Sequence, residues 1–467
     1  MRIAIIGAGP TGLVLGAALA RRGHRVTAVD RDPGPDRRER WARRGVMQFH
    51  HAHAFRAQVG ETLRAELPDA WTGWLAAGAE PITLDVPGGR VAGGVRSRRE
   101  TFERAVRSAA LRRPGFDLRP GHVDAVTTSG GRVDGLRVDG TSLAADLVID
   151  ASGRAGRVTR GLRPAPAVVG DTGIAYVDRE YQLLPGAEPG PLINSLAWQA
   201  DLDGYQVILF VHERGIFSVV VIRPTDAREL LPLRHDAVFD AVSRAVPGLA
   251  TWTDPARARP RTSVLPGGAL VNRFQSQIGE DGNPVLPGLV FVGDAVCTTT
   301  PIFGRGVATS MMQVTALLRL LDEHAGDTDA AVGAFGAWCE DRMRPWVEDH
   351  VRMDEATRRR WAGEDVDLSQ RLPSDLIMAA AEADPSIGPA SGPYLAMLAG
   401  PDSLDAVEPK ARAVYRSGWR PRPAEGPSRA ELAELIRRTE AATGEREAAG
   451  PLPPPRTARA PQRVGAG

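Results

Sequence analysis

MRIAIIGAGPTGLVLGAALARRGHRVTAVD, residues 1–30, decides the fold. Ile3, Ile5 and Ile6 read as a buried strand, Gly7, Gly9 and Gly12 as the tight turn after it, and Leu13 to Arg21 as a helix whose first N–H groups face a pyrophosphate. Asp30 closes the next apolar strand, Arg25 to Val29, where a carboxylate can accept a hydrogen bond from an adenosine ribose hydroxyl. A glycine string alone is weak evidence. Strand, turn, helix, strand and terminal acid in register specify a dinucleotide-binding unit.

At 467 residues and 43% hydrophobic content, the chain is long enough for two or three modules with sizeable cores. Its 58 basic and 57 acidic residues nearly cancel, which removes the electrostatic motive for nucleic-acid binding. No apolar run is long enough to span a bilayer, and the first strand has no basic preamble or cleavage site, so neither a membrane span nor a signal peptide is expected. Cys297 and Cys339 are the only cysteines, which suits a reducing cytoplasm.

The expected fold class is α/β: a Rossmann-like FAD-binding domain of βαβ type carrying a β-meander, a β-sheet substrate domain, and a helical C-terminal region. Residues 1–75, 99–170 and 276–328 are read as the three parts of the first domain, with 76–98 an excursion toward the second. Within them, Ala54 to Leu67 and Arg99 to Leu111 have helical patterns. His122 to Thr127, Arg132 to Val138 and Asp146 to Ile149 read as the meander strands. Residues 171–275 form the β-rich domain, with strands at Tyr205 to Val211 and Ile216 to Ile222 and a covering helix at Asp236 to Val246. Residues 329–441 read as helical with breaks at Pro385 and Pro401, and 442–467 as a disordered tail.

A second fragment, GLVFVGDAVCTTTPIFGRGVATS from residue 288, speaks to the cofactor. An apolar strand ends in Gly293-Asp294, placing a carboxylate where it can accept hydrogen bonds from the hydroxyls of a ribityl chain. Pro301, Gly304 and Gly306 then lead into a helix from about Gly306 to His324. Such a loop lets backbone N–H groups approach a flat ring, and the helix N-terminus would stabilise negative charge on a flavin's N1–C2 carbonyl edge.

GAGPTGL at 7–13, DLVIDASGRAGRV at 146–158 and GLVFVGDAVCTTTPIFGRG at 288–306 resemble, in order and spacing, the three signatures of FAD-dependent aromatic hydroxylases of the para-hydroxybenzoate hydroxylase type. The resemblance covers roughly 1–325. GVMQFHHAH at 45–53 and TTPIFGRG at 299–306 are similar to segments of bacterial flavin-dependent epoxidases of polyether biosynthesis, with Met47 and Thr300 replacing a Pro and an Asn, and Gly156 replacing the usual Ser of the middle signature. The resemblance implies one tightly held FAD, a flavin C4a-hydroperoxide formed from O₂, and transfer of one oxygen atom to an alkene or aromatic ring of a hydrophobic natural-product substrate. Electrons would come from NAD(P)H or from a flavin reductase.

Carried over by position, Gly7, Gly9 and Gly12 should face the pyrophosphate, Asp30 the adenosine ribose, Asp294 the ribityl chain, and Pro301, Gly304 and Gly306 the isoalloxazine. Arg99 matches the arginine of the family's cofactor-contacting helix, with Arg98 a rival. Arg43 or Arg44 and Gln48 lie on the segment that runs along the FAD, Val123 on the strand beside adenine, and Asp150 is implied to support cofactor and pyridine nucleotide. No acid or base is assigned, so the catalytic set is the flavin-facing loop alone. His50, His51 and His53 lack converging partner ligands for a metal and read as cofactor-lining or packing residues. Cys297 reads as inert packing, and Trp338, Trp346 and Trp361 as core. Trp198, Tyr205, Phe210 and Phe217 sit on the expected cavity roof, their directions set by an unknown strand register. A flavin-dependent dehydrogenase or reductase without oxygen insertion is the alternative. Halogenation fits less well, since the WxWxIP string is absent and Lys410, the only lysine, matches no position.

Overall fold

A computed structural model describes residues 1–444 except 44, 87–88, 155, 269 and 280–281. Arg44 and the expected disordered tail beyond 444 therefore lie outside the described residues.

Strands Arg2–Ile6 and Arg25–Asp30 pair in parallel around the helix Pro10–Arg21. Leu147–Asp150 and Leu289–Phe291 extend the sheet on one side and Phe116–Pro120 on the other, in the order 289, 147, 2, 25, 116 by first residue, every pairing parallel. Continuous burial of Leu147–Asp150 and Leu289–Phe291 is what a sheet covered on both faces demands. Helix and sheet meet closely at Gly16, where an added Cβ would lie 2.5 Å from the Phe116 ring.

The meander differs from expectation. Its strands are Val123–Ser129, Arg132–Val138 and Thr141–Ala144. The run read as its last strand is instead Leu147–Asp150 of the parallel sheet. Thr141–Ala144 is polar and mostly exposed, so it carries no apolar signal of its own. The helix expected at 54–67 is Ala57–Glu66, and a further helix, Pro68–Ala76, opened by proline, follows it directly. Strands Glu80–Val86 and Gly89–Arg96 pair antiparallel.

The second sheet is antiparallel, ordered Ala197–Leu202, Tyr205–Val211, Ile216–Pro224, Ile174–Leu183, Ala258–Pro260, with Leu265–Gly267 also pairing Ile174–Leu183. Register separates its two faces. Tyr176 and Asp178 lie opposite Ile222 and Val220, and Val220 lies opposite Ile208. These residues face the nucleotide-type domain, where Ile174, Tyr176, Ile208, Val220 and Ile222 pack with Ala52, Phe210 and Ile302. The other face carries Val177, Tyr181, Tyr205, Val207, Phe217 and Val219 under the helix Asp236–Ala245. Of the four aromatics read as cavity roof, only Phe210 packs on the inner side; Tyr205 and Phe217 belong to the outer core, against which Trp198 also packs.

The C-terminal region is less continuously helical than its composition suggests. Non-helical stretches at 362–373 and 417–428 separate its helices. The last helix, Arg429–Thr443, returns to the outer face of the second sheet, where Leu432 and Ile436 join the core. Its start is fixed by a capping box between Ser428 and Glu431. Trp346 is buried in the main core, Trp338 is packed against it, and Trp361 packs against the inner cluster.

Candidate functional site

The glycine turn has the shape its sequence requires. Gly7 sits at φ +97° with its N–H donating to Val29 O at 2.8 Å, and a Cβ there would lie 2.8 Å from Ala151 O. A Cβ on Gly12 would stand 2.1 Å from Gly7 O, so only glycine lets helix and turn approach. Above Gly9 the nearest such atom is Arg43 Nη2 at 3.8 Å, leaving room for an incoming group. No side chain caps the helix that begins at Pro10, and its leading N–H groups face outward with their positive end.

Asp30 stands at the end of its strand, accepting from the N–H groups of Ala8 at 2.7 Å and Asp32 at 2.9 Å, with part of its carboxylate still accessible. Arg43 is buried beside it. Its Nη2 donates to Ala8 O at 3.1 Å, and its guanidinium pairs with Glu103. Burial pulls its ionisation down, opposed by Asp30 and Asp32. Gln48 lies half-buried in the short turn Met47–His50, and Val123 is buried at the start of its strand.

Arg98 and Arg99 open the helix Arg99–Leu111 and part ways. The Arg98 main-chain N–H and Nε both donate to Glu213, at 2.7 and 2.9 Å, tying the helix to the second sheet. Arg99 turns inward: Nε donates to Glu103 at 2.6 Å and Nη1 meets His53 Nε2 at 3.2 Å. Burial lowers Arg99 to about 10, nearby Arg43 adding to the effect and Asp294 opposing it, so it stays cationic at neutral pH. His53 Nδ1 lies 2.9 Å from His51 O, an acceptor, so Nδ1 carries the proton and Nε2 accepts from Arg99. Burial, then Arg99, holds His53 well below the usual histidine range. The fully buried Glu103, bridging Arg43 and Arg99, was invisible as a site residue because an acid on an amphipathic helix reads as a solvated one.

Asp294 occupies the turn Gly293–Ala295, whose shape is fixed by Gly293 N–H donating to Gln313 Oε1 at 2.8 Å. Its carboxylate makes no hydrogen bond among the described residues. Its side chain is exposed, and the protein packed nearby raises its ionisation against the opposing charges of Arg99 and Arg154. Pro301–Phe303 forms a short turn, and Gly304 packs on Ala54. The helix Gly306–Glu323 starts with no side-chain cap, and the space beside the Gly306 Cα is open. Arg305 points away, buried against Trp346, Tyr394 and Phe303.

Asp150 faces the interior. It is wholly buried, accepting from Ser152 and Thr159 and paired with Arg163, so it ties those three residues together. Cys297 is buried, with its thiol pushed up by burial, as expected of packing. Among the described residues no group of three or more His, Cys, Asp or Glu side chains could hold a metal.

The donors and acceptors are of the kinds an extended dinucleotide needs: the uncapped helix start at Pro10 and Arg99 for a diphosphate, the partly accessible Asp30 for a ribose, and Asp294, without a protein partner among the described residues, together with the second uncapped helix start at Gly306.

Residues 5–64 match the NAD(P)-binding Rossmann-like domain family. An 84-residue stretch, 18% of this chain, is 32% identical to D-amino acid dehydrogenase 2 of Ralstonia nicotianae and spans 18% of that enzyme's length. Among solved structures, a triple mutant of the flavin-dependent brominase Bmp2 is similar over 89% of this chain and 97% of its own, with TM-score 0.61 and 17% identity. PqsL, a probable FAD-dependent monooxygenase from Pseudomonas aeruginosa, is similar over 78% and 98%, with TM-score 0.55 and 18% identity. The myxobacterial chondrochloren halogenase CndH is similar over 88% and 97%, with TM-score 0.57 and 16% identity. The chain thus has an α/β fold like that of FAD-dependent monooxygenases and halogenases.

Proposed function

We propose that this protein is an FAD-dependent monooxygenase that places one oxygen atom from O₂ into a hydrophobic small molecule, by hydroxylation of a ring or epoxidation of an alkene. The observation that carries the reading is the partnerless Asp294 carboxylate, which feels the charge of Arg99 and is followed along the chain by the open, uncapped helix start at Gly306. That combination suits a polyol chain leading to a ring that gains negative charge when reduced.

When bound, the flavin would supply the oxygen chemistry, using electrons from NAD(P)H directly or through a flavin reductase. The protein's part is placement. The turn at Gly7 to Gly12 and Arg99 would bind the diphosphate, Asp30 the adenosine ribose and Asp294 the ribityl chain; Arg43 would support Asp30 from within, while Gln48 and Val123 border the same path. Pro301, Gly304 and Gly306 would lie against the ring. The inner sheet face, with Ile302 and Phe210, would exclude water beside it. Residues 171–275 would form the substrate domain.

Halogenation, the activity in the names of two similar structures, is not favoured: Lys410, the only lysine, is exposed on the helix Glu408–Arg416 and bonded to Ser386 Oγ at 3.0 Å. No helix among the described residues is long and apolar enough to cross a membrane, and we place the protein in the cytoplasm.

Two experiments test this. Reduced, FAD-loaded protein supplied with ¹⁸O₂ should put one labelled atom into product; label found only in peroxide or water would favour a dehydrogenase or reductase. Separately, Asp294→Ala should weaken FAD binding at least tenfold, about the loss of one charged hydrogen-bond acceptor. A stoichiometric yellow cofactor surviving gel filtration in that variant would remove Asp294 from the cofactor contacts.

A further inference from the structure

Proton chemistry has a candidate outside the flavin-facing loop. Asp178, almost wholly buried on the inner face of the second sheet, accepts at Oδ2 from His51 Nδ1 at 3.0 Å and from the Ala52 main-chain N–H at 2.8 Å. A carboxylate offers only acceptors, so His51 Nδ1 carries hydrogen and the neutral ring's lone pair is at Nε2. The Tyr176 ring, meeting His51 edge to face with centroids 5.2 Å apart, fixes the imidazole's plane. Nε2 has no hydrogen-bond partner among the described residues, yet it is not sealed off. His51 lines a cavity of about 150 Å³ that it shares with Phe49, Arg98, Arg99, Glu180 and Arg261. A space of that order is large enough for one six-membered ring of an aromatic substrate, so that a fused second ring would extend beyond it. Arg99, whose ionisation also responds to the charge of Asp294, borders this cavity.

A purely structural role would be to clasp the 47–53 segment to the sheet. The Ala52 N–H to Asp178 bond already does that, and it needs no imidazole with one nitrogen open to a cavity.

We propose that His51 is a catalytic base, held in its working tautomer by Asp178 as a positioning residue, and that the substrate carries an ionisable hydroxyl conjugated to the carbon that is oxygenated: a phenol or enol, not an isolated alkene. In this step the substrate O–H bond breaks and an N–H bond forms at His51 Nε2. The electron pair stays on the substrate oxygen, making the conjugated carbon electron-rich, and the imidazolium is balanced by Asp178. The inference rests on the monooxygenase reading and narrows it. The groups facing His51 are mixed in charge: Tyr176, Asp178 and Glu180 from the sheet, Arg98, Arg99 and Glu100 from the helix start, Arg261, and His50 and His53 from its own segment.

The test uses FAD-loaded, full-length protein and three probes sharing one ring system: 2-naphthol, 2-methoxynaphthalene and 2-vinylnaphthalene. Difference spectra against pH should show bound 2-naphthol ionising about one pH unit or more below the free compound in the wild type. In His51→Gln that shift should vanish, and in Asp178→Asn it should shrink. With reductant and O₂, His51→Gln should oxygenate 2-naphthol roughly 10²–10⁴-fold more slowly at neutral pH. Its rate should recover as the pH approaches the naphthol's own ionisation, with FAD content unchanged. A clasp would give no such recovery. Unshifted ionisation in the wild type, or a shift kept in His51→Gln, overturns the proposal, as does oxygenation of the vinyl or methoxy probe at rates equal to 2-naphthol and indifferent to His51. A shift that depends on His51, with no ¹⁸O reaching any product, would instead sink the monooxygenase reading and leave the base in place.

Discussion

Glu103→Ala is expected to lower the free energy of unfolding by about 3–5 kcal/mol, the usual range when one partner of a buried ion pair is removed. Glu103 is fully buried between two arginines, taking Arg99 Nε at 2.6 Å on one oxygen and the Arg43 guanidinium on the other. Neither cation can reach water easily: Arg43 is nearly buried, and Arg99 is enclosed enough to have its ionisation depressed. Without the carboxylate, the only anions Arg43 keeps within ion-pair range among the described residues are Asp30 and Asp32, each almost 4 Å away. Arg99 would swing toward Asp294, its remaining anion. Guanidinium unfolding at fixed flavin concentration reads the effect, and Glu103→Gln, which keeps the volume and an acceptor, should lose less. An unchanged midpoint in the alanine variant would mean that the arginines are satisfied elsewhere.

Gly12→Ala should be nearly as damaging, for a steric reason. The new methyl would stand 2.1 Å from the Gly7 carbonyl oxygen and 3.2 Å from its carbon. These are main-chain atoms of a turn fixed by the Gly7 N–H to Val29 bond, so relief requires the helix to back away from the sheet. Overpacking of this kind costs about 1–3 kcal/mol and occasionally more. It also displaces the helix start proposed to receive the diphosphate, so FAD affinity should drop more than tenfold. Gly9→Ala separates the two effects, because its φ of −71° suits alanine and its methyl would meet only Arg43 Nη2 at 3.8 Å. That variant should keep its thermal midpoint and lose affinity alone. Equal flavin binding by Gly12→Ala and wild type would mean that the turn does not hold the cofactor.

Much of the first domain was legible because its signals are local. Glycine spacing, the apolar strands at 2–6 and 25–30 and the helix at 99–111 each depend on neighbours within a turn or two. Errors arose where local pattern and tertiary role diverge. The run at 147–150 follows a meander and is short, so it resembles another hairpin strand, yet its unbroken burial belongs to a parallel sheet. The true third meander strand, with three of its four residues exposed, has no apolar alternation to find. In the site, Arg98 and Arg99 are set apart by Glu213, more than a hundred residues away, which takes Arg98. Likewise, His51 gains its partner 127 positions downstream, and no spacing in the sequence announces that pair. Asp150 shows the converse: its motif stands out in the sequence, but the carboxylate is consumed inside the protein by Thr159, Ser152 and Arg163.

The two-faced register of the second sheet has a practical corollary. Along its central strands, even-numbered positions such as 176, 208, 210, 220 and 222 look toward the first domain, whereas odd-numbered ones such as 177, 207, 219 and 221 anchor the outer helices. With the inner set lining the ligand site, as proposed, ligand preference and structural foundation would be written on alternating letters of the same segments, so that selection could rework one set while leaving the other in place.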